Sequence, residues 1–117
     1  MDILAALNKV VIWMPRPTPA RVRLAAQRIG EHLAAWRKLQ GLTAEQVAER
    51  AGISRGSLRR LEQGETTVGV DALLNVARVL GTLDRVVESF DPYETELGRA
   101  RAAEILPQRV RPQQGPR

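Results

Sequence analysis

The chain of 117 residues contains no cysteine, a single histidine and only four aromatic side chains. Without cysteine it can form no disulfide, no thiol nucleophile and no zinc finger. Its longest apolar run near the start, residues 10–14, is far shorter than the roughly 18 residues that a membrane span needs. Because Asp2 and the lack of an early basic cluster also argue against a secretory signal, we expect a cytoplasmic protein with no membrane partner.

What is present is an apolar fraction of 44%, enough for one small domain whose core consists mostly of Leu, Val, Ile and Ala. The formal net charge is +5, but it is unevenly distributed. Residues 1–63 carry a net +6, residues 64–98 a net −5 and residues 99–117 a net +4. A basic excess indicates an acidic partner, either nucleic acid or an anionic surface. We expect the acidic block to face away from such a partner.

The first 17 residues are predicted to be an apolar extension followed by a proline-rich elbow. Residues 3–14 have the i, i+3, i+4, i+7 apolar spacing of an amphipathic helix, although residues 10–13 are also compatible with a short strand. Lys9 is the only basic residue on the polar face, which disfavours a membrane-surface helix. The apolar stripe is therefore interpreted as a dimer contact or as part of the core.

Five helices are predicted within a domain that spans residues 18–90. The first begins with Thr18 as N-cap and Pro19 as the first helical residue, and it runs to about Leu39. Its apolar stripe consists of Val22, Leu24, Ile29, Leu33 and Trp36. The others are expected over residues 44–51, 55–63, 70–80 and 83–90, with capping residues before and glycines after several of them. In the extension of residues 91–117, a sixth helix is possible over residues 94–105, and the end is predicted to be disordered.

The second and third of these helices are joined by a three-residue turn, as in a helix-turn-helix. Ala48 is small enough for the second helix of the motif to cross close above it. Gly52 permits the positive φ that redirects the chain. Ile53, Leu58 and Leu61 are apolar at the positions that fill the angle between the two helices.

With Leu58 and Leu61 inward, a helical wheel turns a basic and polar face outward. That face consists of Arg55, Gly56, Ser57, Arg59, Arg60 and Gln63. Arginine can donate two hydrogen bonds to guanine, whereas a serine hydroxyl and a helix N-terminus suit phosphate. A solvated basic face is the alternative, but the turn motif favours contact with the major groove of DNA. Gly56 lowers helix stability relative to alanine. Either the glycine lets the backbone come close to a partner, or its presence is incidental.

These residues resemble the phage-repressor-like, or XRE-type, DNA-binding domains over about residues 28–82. The matching segments are Ile29-Gly30-Glu31, Trp36-Arg37, Gly41-Leu42-Thr43, Val47-Ala48-Glu49, Ala51-Gly52-Ile53-Ser54-Arg55 and Leu61-Glu62-Gln63-Gly64. The resemblance implies a five-helix bundle that binds operator DNA as a two-fold homodimer. By position it implies base contacts from Arg55, Gly56 and Arg60. It also implies phosphate contacts from Ser57, Arg59, Thr66 and Thr67.

Two further positions are interpreted through the same resemblance. The family often has a phosphate-contacting Gln at the start of the first motif helix, where this chain has Ala44. That contact is either lost or made by Gln46 or a neighbour. The resemblance also implies a structural ion pair between Arg37 and Glu62, which removes Arg37 from the DNA-binding set.

The C-terminal segments resemble the endings of repressors found beside HipA-type kinase toxins, the HipB-type antitoxins. They are Asp91-Pro92, Glu96-Leu97-Gly98-Arg99 and Leu106-Pro107-Gln108-Arg109-Val110-Arg111. This narrower resemblance implies an autoregulating antitoxin that binds a HipA-like kinase as well as DNA. The alternative is an interaction adaptor whose helix-turn-helix no longer reads DNA, with the acidic segment 84–96 as its main surface.

Nothing in the sequence indicates catalysis, a metal or a cofactor. His32 has no second ligand nearby, and Asp84 with Glu88 lacks the His or Cys support of a metal site. The acidic residues Asp91, Glu94 and Glu96 are interpreted as loop solvation rather than a glycosidase pair. There is also no phosphate-binding glycine loop and no nucleophile beside a base. We therefore expect a binding protein and not an enzyme.

Overall fold

The computed structural model describes residues 16–105, and within that range the chain is all-α. It consists of helices α1 (Ala20–Leu39), α2 (Ala44–Ala51), α3 (Arg55–Glu62), α4 (Val70–Leu80), α5 (Leu83–Ser89) and α6 (Glu96–Ile105), with a 3-10 turn at Pro92–Glu94. The predicted all-α class and five-helix bundle are confirmed, with α6 as an additional helix. The expected helix or strand in residues 3–14 and the expected disordered end, residues 107–117, lie outside the described residues.

Side-chain caps decide where α2 and α3 begin. The Thr43 hydroxyl accepts a hydrogen bond from the Gln46 backbone N–H at 3.1 Å, and Gln46 Oε1 accepts one from the Thr43 N–H at 2.9 Å. This reciprocal capping box satisfies backbone donors that a helix leaves unpaired at its start. At α3 the Ser54 hydroxyl accepts from the Ser57 N–H at 3.0 Å. Both predicted starts are confirmed.

Glycines in the left-handed region end four of the helices. They are Gly41, Gly52, Gly64 and Gly81, with φ between 70° and 82°. After α3, for example, the Gly64 N–H donates to Leu61 O and the Glu65 N–H donates to Arg60 O, each at 3.0 Å. These two bonds form a Schellman motif, which needs a positive φ that a residue without Cβ adopts at little cost. The predicted glycine stops are therefore confirmed.

The core is entirely aliphatic and joins the first four helices. Its buried members are Leu33, Val47, Ala48, Ala51, Leu58, Leu61, Val76 and Leu80. Val47, Leu58 and Val76 are the largest side chains that are removed almost completely from solvent. Burial of each such side chain contributes about 1.5–3 kcal/mol relative to leaving it exposed.

The start of α1 differs from the sequence prediction. Pro19, with φ −58° and ψ 146°, is the N-cap residue, and the N-cap has no side-chain hydrogen bond. The prediction of Thr18 as N-cap and Pro19 as the first helical residue is therefore wrong by one position. The physical reason is the extended ψ of Pro19, because a residue with that ψ precedes the first helical turn.

The predicted stripe on α1 is buried only at Leu33, which is 7% exposed. Val22, Leu24, Ile29 and Trp36 are between 39% and 53% exposed. Val22 and Leu24 precede Gln27, the position at which Gly64 after α3 approaches α1. Ile29 and Trp36 lie within the stretch of α1 that α3 and α4 contact, but on another side of it, beside α5.

The C-terminal extension also differs in detail. Helix α5 ends at Ser89 rather than at residue 90, and the helix expected over residues 94–105 is split. Thr95 has extended backbone angles, φ −126° and ψ 152°, between the 3-10 turn and α6. Its hydroxyl accepts from the Gly98 N–H at 2.9 Å, so α6 begins after an interruption that the apolar spacing did not reveal.

Candidate nucleic-acid interface

The inward side of α3 fixes this helix to the rest of the domain. Leu58 is 1% exposed and Leu61 is 7% exposed. Ala48 of α2, only 2% exposed, lies in the same cluster, and Ile53 packs against it from the turn. The apolar residues that were predicted to fill the angle between α2 and α3 therefore do so. Because these contacts hold one side of α3, its opposite side has a defined orientation.

The C-terminal end of α3 lies unusually close to α1. A Cβ added to Gly30 would lie 2.6 Å from Leu61 O and even closer to Glu62 O. A Cβ added to Gly64 would lie 2.5 Å from the Cα of Gln27. All of these neighbours are backbone atoms, which cannot move aside as a flexible side chain can. Two glycines thus permit the backbone contact that holds the end of α3 against α1.

An ion pair strengthens the same junction. Arg37 Nε lies 2.8 Å from Glu62 Oε2, and Arg37 Nη2 lies 3.1 Å from Glu62 Oε1. Arg37 Nη1 also donates to Leu42 O at 3.2 Å. Hydrogen bonding to Glu62 raises the pKa of Arg37. All three guanidinium nitrogens of Arg37 therefore have protein partners, as expected for the structural pair that the resemblance implied.

The outward side of α3 is accessible and basic. Arg55, Gly56, Arg59, Arg60 and Gln63 are exposed, and Ser57 is half-buried. Glu62 is the single acidic residue of α3, and it is already paired with Arg37. The outward face consequently carries three positive charges with no carboxylate of α3 to neutralise them. Thr66 and Thr67, in the loop after α3, are exposed as well.

Three side chains of this face are connected by hydrogen bonds. The Ser57 hydroxyl oxygen accepts from Ser54 Oγ at 3.0 Å and from Arg60 Nη2 at 3.3 Å. The sequence reasoning did not predict this network, although its i, i+3 spacing places the three side chains on one side of the helix. The network directs the Arg60 guanidinium toward the N-terminal half of α3, where the Arg55 and Gly56 N–H groups have no intrahelical acceptor.

Gly56 is not required by the packing of the domain. Its φ lies outside the left-handed region, and an added Cβ would lie 3.8 Å from both Arg60 Nη1 and Ser54 Oγ, an ordinary contact distance. The helix therefore tolerates alanine here, in contrast to Gly30. What glycine provides at this position is an uncovered stretch of backbone on the outward face.

A comparison with known families agrees with this geometry. A family model described as a helix-turn-helix domain matches residues 28–90, just over half of the chain. The chain belongs to this helix-turn-helix family. The match includes both motif helices and continues through α5. No significant match was found among curated proteins or among solved structures. Membership of the helix-turn-helix family indicates a DNA-binding regulator with DNA as a partner.

The helix-turn-helix domain has a small gap beside the start of α2. Ala44, Arg55, Leu58, Arg59 and Glu62 line a cavity of about 140 Å³ there. Gln46 Oε1 accepts from the Thr43 N–H, so the group with which Gln46 could donate to a phosphate is its Nε2 amide. Arg55 and Arg59 are the two cations that line the gap.

Over residues 16–105, the helix-turn-helix protein has no helix that is both long and apolar enough to cross a membrane. In the same range, no three His, Asp or Glu side chains come together as metal ligands.

Proposed function

We propose that this helix-turn-helix protein is a sequence-specific transcriptional repressor that binds double-stranded DNA as a homodimer. The outward face of α3 supports this proposal best, because it presents Arg55, Arg59 and Arg60 to solvent while its own carboxylate is paired elsewhere. An arginine-rich helix of this kind suits the major groove, where guanine offers two acceptors to one guanidinium. Two such helices in a two-fold dimer would lie about 34 Å apart, one turn of DNA.

The outward residues are assigned two kinds of contact. Arg55, Gly56 and Arg60 are assigned to base edges, as their position in the resemblance to repressor-like domains implies, and all three are exposed. Ser57, Arg59, Thr66 and Thr67 contact phosphates, and Gln63 extends the same face at the end of the helix. Phosphate contacts set the position of the protein on DNA, whereas base contacts set the sequence that it prefers.

The test is a band-shift titration against the DNA upstream of the gene and against a shuffled duplex, at two salt concentrations. We expect Arg60→Ala to lower the affinity for the upstream DNA by about 1–3 kcal/mol and to relax sequence preference. Arg59→Ala should weaken both duplexes alike and reduce the salt slope by about 1. The matched control is Arg85→Ala, which removes one exposed charge from α5 instead of α3.

Each outcome separates the candidate functions. Equal losses on upstream and shuffled DNA for Arg60→Ala would remove Arg60 from the base readers. Binding that is absent, or indifferent to sequence at both salt concentrations, would favour the interaction adaptor with the acidic segment 84–96 as its surface.

A more specific role as an autoregulating antitoxin, paired with a HipA-like kinase toxin, is supported by the resemblance of the C-terminal segments. An observation consistent with a partner there is the exposure of Phe90 and Leu97, 82% and 71% respectively. The first test is the neighbouring reading frame, which should encode a kinase-like protein. Coexpression and copurification with that protein should then yield a complex. A neighbouring kinase that fails to copurify would contradict the antitoxin role and leave the DNA-binding proposal intact.

A further inference from the structure

A groove lies between α1 and α5 and has a volume of about 560 Å³. Ile29, Trp36 and Leu39 form its α1 wall, and Val86 contributes from α5. His32 and Arg85 supply polar groups at its margin. The groove has no part in the candidate DNA interface, since none of its lining residues belongs to α2, α3 or the turn between them.

The α1 wall of this groove is apolar but incompletely covered. Ile29 is 44% exposed, Trp36 is 39% exposed and Leu39 is 77% exposed. Together with His32 they follow the i, i+3, i+7, i+10 spacing that places residues along one side of a helix. A continuous apolar surface on one side of a small domain usually marks a contact with another segment or protein.

We propose that residues 3–14 of the same chain occupy this groove as an amphipathic helix antiparallel to α1. This segment has apolar residues at matching helical spacing: Ile3, Leu4, Leu7, Val10, Val11 and Met14. Docking would bury its apolar stripe and the α1 wall together, so that the segment completes the core rather than forming a dimer contact. The proposal does not depend on the DNA-binding function.

The length of the connecting elbow fits this placement. Pro19 has the polyproline II angles φ −58° and ψ 146°. At about 3.1 Å per residue, the five steps from Pro19 back to Met14 cover about 15 Å. Ile29, ten residues along α1 from Pro19, lies about 15 Å from the helix start, where the groove begins.

The far end of the segment fits as well. A helix from Met14 back to Ile3 covers about 17 Å, which brings its start about 32 Å along α1. Leu39, the last residue of α1, lies about 30 Å along the same helix. The two lengths agree within about 2 Å, so the segment matches the length of the groove.

Charge supports the antiparallel direction. In this register Asp2 lies beside the C-terminal end of α1. That end is close to the start of α5, because Gln40 Nε2 donates to Leu80 O at 2.8 Å. Arg85 lies in the first turn of α5 and lines the groove there. In this arrangement the Asp2 carboxylate lies beside Arg85, which has no carboxylate partner within 4 Å in the described residues.

Introduced cysteines test the docking directly, because the chain has none of its own. The full-length variant with Leu7→Cys and Ala35→Cys pairs the middle of the segment with an exposed groove residue. The control pairs Leu7→Cys with Glu49→Cys, an exposed position on α2 outside the groove. Mild oxidation should give an intrachain disulfide in the first variant and little in the control, read as faster migration on a non-reducing gel.

Two other results of the same experiment would overturn the proposal. A disulfide-linked dimer whose yield falls on dilution would place the segment on a second copy of the chain. Cross-linking no greater than in the control would show that residues 3–14 do not occupy the groove.

Fluorescence provides a second, independent measurement. In a Trp13→Phe background Trp36 is the only tryptophan, so its emission reports on the groove. Leu7→Asp interrupts the apolar stripe. It should therefore shift the Trp36 emission to longer wavelength and make the Trp36 side chain more accessible to quenching by acrylamide. Asn8→Asp introduces the same charge on the polar side of the segment and should leave both unchanged. Identical spectra for the two variants, with helix content retained, would contradict the proposal.

Discussion

The ion pair between Arg37 and Glu62 is expected to stabilise the domain measurably, unlike most pairs on protein surfaces. Exposed pairs typically contribute 0.2–1 kcal/mol, whereas removal of one partner from a buried pair costs about 3–5 kcal/mol. Here the two side chains are 14% and 16% exposed and joined by two hydrogen bonds. We therefore expect Arg37→Ala and Glu62→Ala each to lower the free energy of unfolding by about 2–3 kcal/mol.

A double-mutant cycle isolates the interaction itself. Urea unfolding followed by circular dichroism, on the two single variants and the double variant, should give a coupling energy of about 1–2 kcal/mol. Part of the loss in Arg37→Ala reflects the bond to Leu42 O, which the cycle removes from the comparison. A coupling energy below about 0.5 kcal/mol would refute the reasoning, because the pair would then behave as a solvated one.

The same variants test whether Arg37 contacts DNA. Because all its guanidinium nitrogens have protein partners, Arg37→Ala should leave the salt slope of DNA binding unchanged once the fraction of folded protein is taken into account. Arg59→Ala, on the outward face, is the comparison in which the slope should fall. A fall of the same size in both variants would place Arg37 at a phosphate.

Three further substitutions test individual positions of the domain. Gly56→Ala should raise the free energy of unfolding by up to about 1 kcal/mol in urea titrations, since alanine fits and favours the helix. If the backbone approaches DNA here, the same variant should bind upstream DNA more weakly. Gly30→Ala should lower the free energy of unfolding by about 2 kcal/mol, because the overlap with backbone carbonyls outweighs the gain in helix propensity. A stabilised variant would contradict the close approach of α1 and α3. Ala44→Gln should tighten binding to upstream and shuffled DNA alike in band shifts if it restores a phosphate contact, and a change limited to one duplex would argue against that contact.

The sequence predicted best those features that neighbouring residues determine. The capping box at Thr43 and Gln46, the cap at Ser54 and the glycine stops all act within one turn of chain, so their residue types suffice to locate helix ends. Helix α4 ends where predicted for the same reason, because Gly81 follows Leu80 in the left-handed region. At Pro19 the local signal was ambiguous, because proline suits both the N-cap geometry found and the first helical position expected.

Features that depend on distant segments were predicted only in part. Spacing alone could not pair Arg37 with Glu62 across 25 positions, and only the family resemblance implied that contact. Spacing also could not reveal that α3 and α4 pack against Leu33 but leave Trp36 and the rest of the α1 stripe partly exposed. The helical period specifies which side of a helix is apolar, but not which segment covers it.

Helix α3 divides its two tasks between its two sides. Leu58, Leu61 and Glu62 face the domain and account for the attachment of α3, while Arg55, Arg59 and Arg60 are exposed to solvent. The net charge of +5 therefore does not describe the interface, because Arg37 is neutralised within the fold and the local excess arises on one helical face. Since stability depends on the inward side and the proposed recognition on the outward side, sequence preference can change at the outward residues without a change of fold. The exception is the network of Ser54, Ser57 and Arg60, where the cap that starts the helix also directs a proposed base-reading side chain.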